Sequence, residues 1–230
     1  MKKLGLVGGT SWISTIDYYR FINEGINKQL GGLNFAELII YSVNFNEFQR
    51  NNTAGDWDAT YHLLYKACES LKRSGADAIV LCANTSHAVA GRLQATIDLP
   101  IIHIVTAVAD EINKRGMKKV GLIGTKFTME MDFYKENLRG NGIEAVVPAS
   151  LDTRDFMQYR IKEEMGIGIF TEETKQSFIS IINDLVDEGA EGIILGCTEL
   201  PMLINQKDIK VPVFDTTKIH ANAAVEFALS

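Results

Sequence analysis

The feature that most constrains the fold of this chain is an internal duplication. Apolar stretches that end in glycine turns recur in both halves, and a helix-like segment follows each of the first pair. The matching pairs are residues 3–10 with 119–125, 17–20 with 132–135, 75–83 with 189–197, and 99–103 with 211–215. The offset between them drifts by only a few residues, as expected after duplication and small deletions. The sequence therefore predicts two related halves.

Each half alternates apolar strands with amphipathic helical stretches, such as residues 58–74 and 171–188. This alternation is typical of βαβ units on parallel sheets. We therefore predict an α/β fold of two pseudo-symmetric, doubly wound parallel-sheet domains. The first comprises residues 1–98 plus 212–230, and the second residues 99–211. Ligands of such sheets bind beyond the carboxyl ends of the strands, so the active site is expected in the cleft between the domains.

The charge pattern narrows the choice of partners. The net charge is −6, and basic residues are scattered among acidic ones. We therefore expect no nucleic-acid partner and no anionic membrane surface. No apolar run approaches the roughly 18 residues that cross a bilayer, and the stretch after Met1 is too short for a signal sequence. The expected partners are a small molecule and other protein chains.

The three cysteines, Cys68, Cys82 and Cys197, cannot all pair within one chain, and no CxxC or Cys/His spacing suggests a metal site. Reduced thiols in the cytoplasm fit best. Cys197 follows an apolar strand where a helix is expected to begin, and a helix N-terminus lowers a thiol pKa and favours the reactive thiolate. Cys197 is therefore a candidate catalytic thiol, and a small buried apolar side chain is the alternative.

The duplication aligns Ala83 with Cys197. Next to Ala83, the polar side chains of Asn84 and Thr85 are candidates to hold a substrate carboxylate where a helix starts. The alternative is a plain connection capped by these side chains. Neighbouring strand residues point to opposite faces, so Cys82 is not expected to share the face of Ala83.

Glycine turns follow the first strand of each half, at residues 8–11 and 124–125, and neither has the GxGxxG pattern of dinucleotide-binding proteins. We therefore expect no bound nucleotide. Thr10, Ser11 and Thr125 in these turns are candidates for binding carboxylates through hydroxyl and backbone N–H groups. A tight turn with a helix cap is the alternative for each.

Two basic residues, Arg160 and Lys162, are candidates to bind an acidic substrate side chain. Their neighbours Glu163 and Glu164 make a solvated helix face the alternative. Asn52 and Gln49 are further candidates for lining the pocket. His103 and Asp215 lie at equivalent positions of the repeat, where they either orient groups of the site or make structural hydrogen bonds.

Taken together, these motifs resemble the aspartate/glutamate racemase family, and within it the broad-specificity amino-acid racemases. The resemblance covers the whole chain. Its motifs are Gly8-Gly9-Thr10-Ser11-Trp12, the pairs Ser14-Thr15 and Tyr18-Tyr19, Asn84-Thr85, Gly196-Cys197-Thr198-Glu199, and Asp215-Thr216-Thr217 leading to His220.

The resemblance implies a homodimeric isomerase that needs neither pyridoxal phosphate nor any other cofactor. One residue removes the α-proton of aspartate, glutamate or a related amino acid, and a second delivers a proton to the other face. These two positions fall on Ala83 and Cys197, and Thr198 and Glu199 are implied to bind substrate. Relatives carry cysteine or threonine at the first position. Alanine has no proton to exchange, so we predict proton exchange on one face and poor racemisation.

Two other functions stay open at this point. The related arylmalonate decarboxylases also keep a single cysteine in the second half, so a one-base decarboxylase or isomerase is one alternative. The other is a non-catalytic protein that binds amino acids and is stabilised by them without exchanging their protons.

Overall fold

The computed structural model describes residues 1–230, which form two compact units. Unit 1 comprises Met1–Ile104 and Thr217–Ser230, and unit 2 comprises Val105–Thr216. Each unit contains one four-stranded parallel sheet flanked by helices. The predicted fold class of two doubly wound α/β domains is confirmed.

The sheet of unit 1 has the strand order β2-β1-β3-β4. Its strands are β1 (Leu4–Gly8), β2 (Leu38–Ser42), β3 (Ala78–Leu81) and β4 (Ile101–Ile102). Its helices are α1 (Trp12–Leu30), α2 (Phe45–Thr53), α3 (Trp57–Arg73), α4 (Ala90–Thr96) and α11 (Thr216–Leu229), with a 3₁₀ helix at Thr85–Val89. The order reverses between β1 and β3, which is where open α/β sheets bind ligands.

The sheet of unit 2 repeats this topology in the order β6-β5-β7-β8. Its strands are β5 (Lys119–Gly124), β6 (Glu144–Val146), β7 (Ile193–Gly196) and β8 (Val213–Asp215). Its helices are α5 (Ile104–Lys114), α6 (Lys126–Glu130), α7 (Asp132–Gly140), α8 (Leu151–Glu163), α9 (Glu172–Asp187) and α10 (Leu200–Leu203), with 3₁₀ helices at Met165–Ile167 and Gln206–Asp208. The reversal lies between β5 and β7.

The boundaries between the two units lie a few residues later in the chain than the sequence predicted. Strand β4 pairs with β3 and so belongs to unit 1, whereas the sequence assigned it to the second domain. Strand β8 pairs with β7 and so belongs to unit 2. Both strands follow a proline, as predicted, and each is the last strand of its sheet before the chain passes to the other unit.

Both faces of the unit 1 sheet are buried. Consecutive β3 residues point to opposite faces of the sheet. Val80 packs against α1 and α11, and Leu81 packs against α3. Cys82 lies with Val80 in the first of these clusters. In unit 2, Ile193, Leu195 and Cys197 share one apolar cluster with residues of α8 and α9. The apolar runs of the sequence thus reflect strands that are covered on both faces.

The helices α3 and α9 begin and end close to the predicted limits. Asp56 caps α3 by accepting a hydrogen bond from the Ala59 amide at 2.8 Å, and Thr171 caps α9 by accepting one from the Thr174 amide at 3.1 Å. Such caps satisfy amides that have no partner within the first turn. None of the helices of the protein combines the length and the apolar character that crossing a membrane requires.

Candidate active site

The turns singled out in the sequence lie at the two reversals of strand order. In unit 1, strands β1 and β3 are neighbours, and the turns that follow them contain Thr10 and Asn84. In unit 2, strands β5 and β7 are neighbours, and the following turns contain Thr125 and Cys197. Carboxyl ends of parallel strands share one edge of the sheet, so each unit collects its polar turns at one edge.

The strand registers place Ala83 and Cys197 at equivalent positions of the two sheets. Leu81 pairs with Val7 of β1, and Leu195 pairs with Ile123, the corresponding residue of β5. Ala83 lies two residues beyond Leu81, and Cys197 two residues beyond Leu195. The alignment made from the sequence is therefore reproduced by an independent property, the pairing of the strands.

The Cys197 thiol is hydrogen-bonded to a residue of its own turn. Its Sγ donates a hydrogen bond to Oε2 of Glu199 at 2.9 Å, and the Thr198 hydroxyl donates to the same oxygen at 2.9 Å. All three residues are buried. Burial, and then the neighbouring Glu199 carboxylate, raise the pKa of the Cys197 thiol well above its usual value.

The expectation of a lowered thiol pKa at Cys197 was therefore wrong. Helix α10 contains four residues, and Glu199 precedes it with its carboxylate directed at the thiol. A helix this short has a small dipole, whereas loss of water and a nearby anion both disfavour a thiolate. Cys197 is a neutral thiol at rest.

Two glycines permit the close approach of β5 and β7 beside Cys197. A Cβ on Gly124 would lie 2.7 Å from the carbonyl oxygen of Gly196, and a Cβ on Gly196 would lie 3.0 Å from that of Ile123. Thr125 follows Gly124 and caps α6, accepting a hydrogen bond from the Thr128 amide at 3.3 Å. The cap that the sequence offered as the alternative role of Thr125 is thus present.

The glycine turn of unit 1 is shaped by a positive φ. Gly9 has φ +80, and a Cβ there would lie 2.3 Å from the carbonyl oxygen of Val43. The Gly9 amide donates to the Thr15 hydroxyl at 3.0 Å, and that hydroxyl donates to the Ser11 carbonyl at 2.8 Å. Thr15 thus fixes the turn, while the side chain of Ser11 makes no capping hydrogen bond to α1.

Several buried polar groups near this edge of unit 1 have no hydrogen-bond partner in the protein. They are the hydroxyls of Thr10 and Ser86 and the Nδ2 of Asn52. The Asn52 Oδ1 accepts a hydrogen bond from the Thr60 hydroxyl at 2.7 Å, which fixes the side chain. Such groups are rare in folded proteins and call for an explanation. A polar ligand is one, and Asn84 and Thr85 are buried in the same turn as Ser86.

A cluster of three histidines, of which His87 contacts the Ala83 carbonyl, is a feature that sequence reasoning did not find. The Nδ1 of His87 lies 2.9 Å from the Ala83 oxygen, and the His87 ring packs edge-on against His103 and His220. Burial lowers the pKa of His87 well below its usual value, and that of His103 to about 4. Single histidines carry no periodic signal, so only their place in the fold reveals the cluster. The cluster lacks the geometry of a metal site.

The basic residues proposed from the sequence have other partners. The Arg160 guanidinium pairs with Glu164 and with Glu173, linking α8 to α9, so it has a structural role. The Lys162 ammonium lies 2.8 Å from the Glu163 carboxylate. The Lys162 side chain is 59% exposed, whereas the Arg160 side chain is 22% exposed. Lys162 is therefore the more available of the two. Gln49 is half-buried.

The comparisons with known proteins are consistent with one another. The sequence model of the Asp/Glu/hydantoin racemase family matches residues 7–224. The broad specificity amino-acid racemase RacX of Bacillus subtilis is 23% identical over 232 residues, which cover 99% of this chain and 98% of RacX.

Two solved structures are similar over their whole length. One is a protein from Yersinia pestis assigned provisionally as an Asp/Glu racemase, with 46% identity, a TM-score of 0.92 and 100% of both chains covered. The other is an aspartate racemase homologue from Pyrococcus horikoshii, with 40% identity, a TM-score of 0.86 and 100% of both chains covered.

Proposed function

The chain belongs to the Asp/Glu/hydantoin racemase family as an isomerase of the amino-acid racemase type, and from that premise we propose that Cys197 transfers the α-proton of its substrate. Position 83 serves the opposite face of the α-carbon. The observation that supports this assignment is the shared strand register of Ala83 and Cys197. Equivalent turns are suited to equivalent tasks on two faces of one carbon.

Cys197 uses Glu199 as its proton partner in this mechanism. At rest Cys197 is a thiol hydrogen-bonded to Glu199. The thiol passes its proton to the Glu199 carboxylate, and the resulting thiolate removes the proton from the substrate Cα–H bond, leaving the electron pair on the α-carbon. While the carbanion persists, the proton on Cys197 exchanges with water through Glu199, and return of a proton from the Cys197 thiol then restores the amino acid. The Glu199 proton finally returns to sulfur and regenerates the resting thiol.

The α-carbanion needs strong stabilisation because the Cα–H bond is weakly acidic. Buried donors without a partner, such as the Thr10 hydroxyl and the Asn52 amide, are available to bind a carboxylate. Donors that are already oriented cost no reorganisation during the reaction. We propose Ser11, Asn84, Thr85, Thr125 and Thr198 as further substrate contacts, without any cofactor.

Alanine at position 83 limits proton transfer by this chain to one face of the substrate α-carbon. The methyl group of Ala83 neither takes nor gives a proton, so the carbanion is reprotonated from Cys197 on the side it came from. We therefore propose that the chain exchanges the α-proton of one enantiomer and inverts it poorly.

An acidic amino acid, aspartate or glutamate, is the proposed substrate class. Lys162 is exposed and its only ion-pair partner is its neighbour Glu163, so a substrate carboxylate can compete for its ammonium group. Surface pairs of this kind contribute little, typically about 0–1 kcal/mol. We expect Lys162→Met to raise KM for aspartate and glutamate more than KM for neutral amino acids.

Proton NMR in deuterated water tests the proposed function. We expect the α-proton signal of one enantiomer of aspartate or glutamate to disappear without inversion. Ala83→Cys adds a thiol at the equivalent position and is expected to restore inversion. Ala83→Val, which adds a side chain without an acidic proton, is the matched control and should not restore inversion. No exchange by any of these proteins would overturn the assignment of Cys197.

One-base chemistry is the second candidate, because Ala83 leaves a single thiol at the two equivalent turns. Loss of carbon dioxide from a substituted malonate requires protonation on one face only. Release of carbon dioxide from such a substrate, in the absence of α-proton exchange with amino acids, would favour the decarboxylase.

Localisation in the cytoplasm and assembly as a homodimer remain predictions.

A further inference from the structure

We propose that His87 is a positioning residue that holds the turn at position 83 in place for proton transfer. This inference rests on the proposed function, since it concerns the face of the substrate that position 83 serves. His87 lies four residues after Ala83 in the 3₁₀ helix at Thr85–Val89, and its ring contacts the Ala83 carbonyl. The ring is held on both sides by backbone groups.

The Ile102 carbonyl also acts on the His87 ring and raises its pKa, but the best-defined hydrogen bonds of the ring favour one neutral tautomer. The backbone N–H of Ile104 points at Nε2 over 3.2 Å. A backbone amide is always a donor, so Nε2 accepts and carries no proton. The proton of the neutral ring then lies on Nδ1, which donates to the Ala83 carbonyl at 2.9 Å. His87 thus joins the turn after β3 to Ile104, which also belongs to unit 1.

A second histidine fixes the other side of the same segment. The Nε2 of His220 lies 2.7 Å from the carbonyl oxygen of Ile102, which can only accept, so this nitrogen carries the proton. Its Nδ1 then accepts from the Tyr18 hydroxyl at 2.7 Å. Residues 102–104 are therefore held by two histidines. His220 is hydrogen-bonded to the Ile102 carbonyl, and His87 is hydrogen-bonded to the Ile104 amide.

Burial makes the link through His87 hard to replace. His87 is 2% exposed and His220 is fully buried, so water does not substitute for either ring. Loss of the Nδ1–H donor would leave the Ala83 carbonyl without this partner, and buried backbone acceptors are costly to leave unpaired. The turn would then be free to shift, and proton transfer depends steeply on such displacements.

The test compares the two faces of the substrate in an Ala83→Cys background, where both positions carry a thiol. His87→Asn keeps a donor near the site of Nδ1 and loses the bond from Ile104. His87→Gln reaches towards Ile104 and leaves the Ala83 carbonyl without a donor. His87→Leu removes both bonds. The initial rate of α-proton exchange is measured separately for each enantiomer, and thermal unfolding identifies variants that do not fold.

We expect His87→Gln to slow exchange of the enantiomer served by position 83 by roughly tenfold or more, while exchange at Cys197 stays within about twofold. His87→Asn should retain more of the exchange rate of the enantiomer served by position 83 than His87→Gln does. Equal losses on both faces would indicate general destabilisation and overturn the proposal, as would unchanged rates in both variants. If His87→Leu does not fold, the Asn and Gln variants decide.

An independent measurement separates this proposal from the racemase assignment. Nitrogen NMR of histidine-labelled protein reports which ring nitrogen carries the proton. Nδ1–H on His87 and Nε2–H on His220 support the positioning role even if no amino acid exchanges its proton, in which case the proposed function alone fails. Nε2–H on His87, or a charged His87 ring, overturns it.

Discussion

At the scale of single residues, the proposed mechanism depends on the pair Cys197 and Glu199. Their hydrogen bond places a carboxylate beside a buried thiol and raises the thiol pKa. A thiol that is protonated at rest is a ready proton donor, and it becomes a base only after giving its proton to a partner. In the proposed mechanism the Glu199 carboxylate is that partner, since it already accepts the hydrogen bond of the thiol.

Replacement of Glu199 by glutamine should lower the Cys197 pKa, because the negative charge that disfavours the thiolate is removed. The thiolate fraction at neutral pH rises roughly tenfold for each unit by which the pKa falls. We expect Glu199→Gln to speed alkylation of Cys197 by iodoacetamide while slowing α-proton exchange. Thr198→Val, which loses a hydroxyl and keeps the charge, is the matched control. Slower alkylation of Cys197 in Glu199→Gln would contradict this account.

The position of Cys197 followed from the sequence, whereas its protonation state did not. Gly196-Cys197-Thr198 after an apolar run identifies a turn at a strand end. The pKa depends on which way the Glu199 side chain turns and how short α10 is, and neither is encoded in a local pattern. The pairing of Arg160 with Glu173 was hidden for the same reason, since Glu173 lies on another helix.

At the scale of elements, glycines set how closely neighbouring strands approach at the site. We expect Gly124→Ala to destabilise the protein by about 1–3 kcal/mol, because the new Cβ would meet the Gly196 backbone at 2.7 Å. Exchange at Cys197 should also fall. Gly140→Ala is the control, since its Cβ meets nothing within 4 Å. Urea unfolding of both variants gives the comparison, and equal stabilities would contradict the assigned role of Gly124.

Most elements were predictable because their residues repeat within the chain. The strands β3 and β7 and the helices α3 and α9 follow from apolar periodicity and caps. The sheet membership of β4 and β8 was not predictable, since a short strand after a proline fits either domain. Pairing with β3 and β7 decides it, and pairing is a long-range property.

At the scale of the whole molecule, the buried histidines make stability depend on pH. Burial lowers the pKa of both His103 and His220 to about 4, while unfolded histidines titrate near about 6.5. Between these values the unfolded chain binds more protons than the folded protein. Stability is therefore full above about pH 6.5 and falls as the pH drops towards 4.

The loss should be on the order of 3 kcal/mol for His220 across this range. We expect His220→Gln to reduce the pH dependence of urea unfolding, although the variant is less stable at neutral pH because Tyr18 loses its acceptor. His62→Gln is the control, because His62 is exposed. An unchanged slope in His220→Gln would show that the buried ring is not responsible.

The central claim is that positions 83 and 197 each serve one face of the α-carbon. The most direct test measures α-proton exchange of both enantiomers by two proteins: the chain itself, and the double variant Ala83→Cys with Cys197→Ala. We predict that each exchanges one enantiomer and that the preferred enantiomer is opposite in the two. The same preference in both proteins, or exchange by the single variant Cys197→Ala, which has a thiol at neither position, would contradict the account.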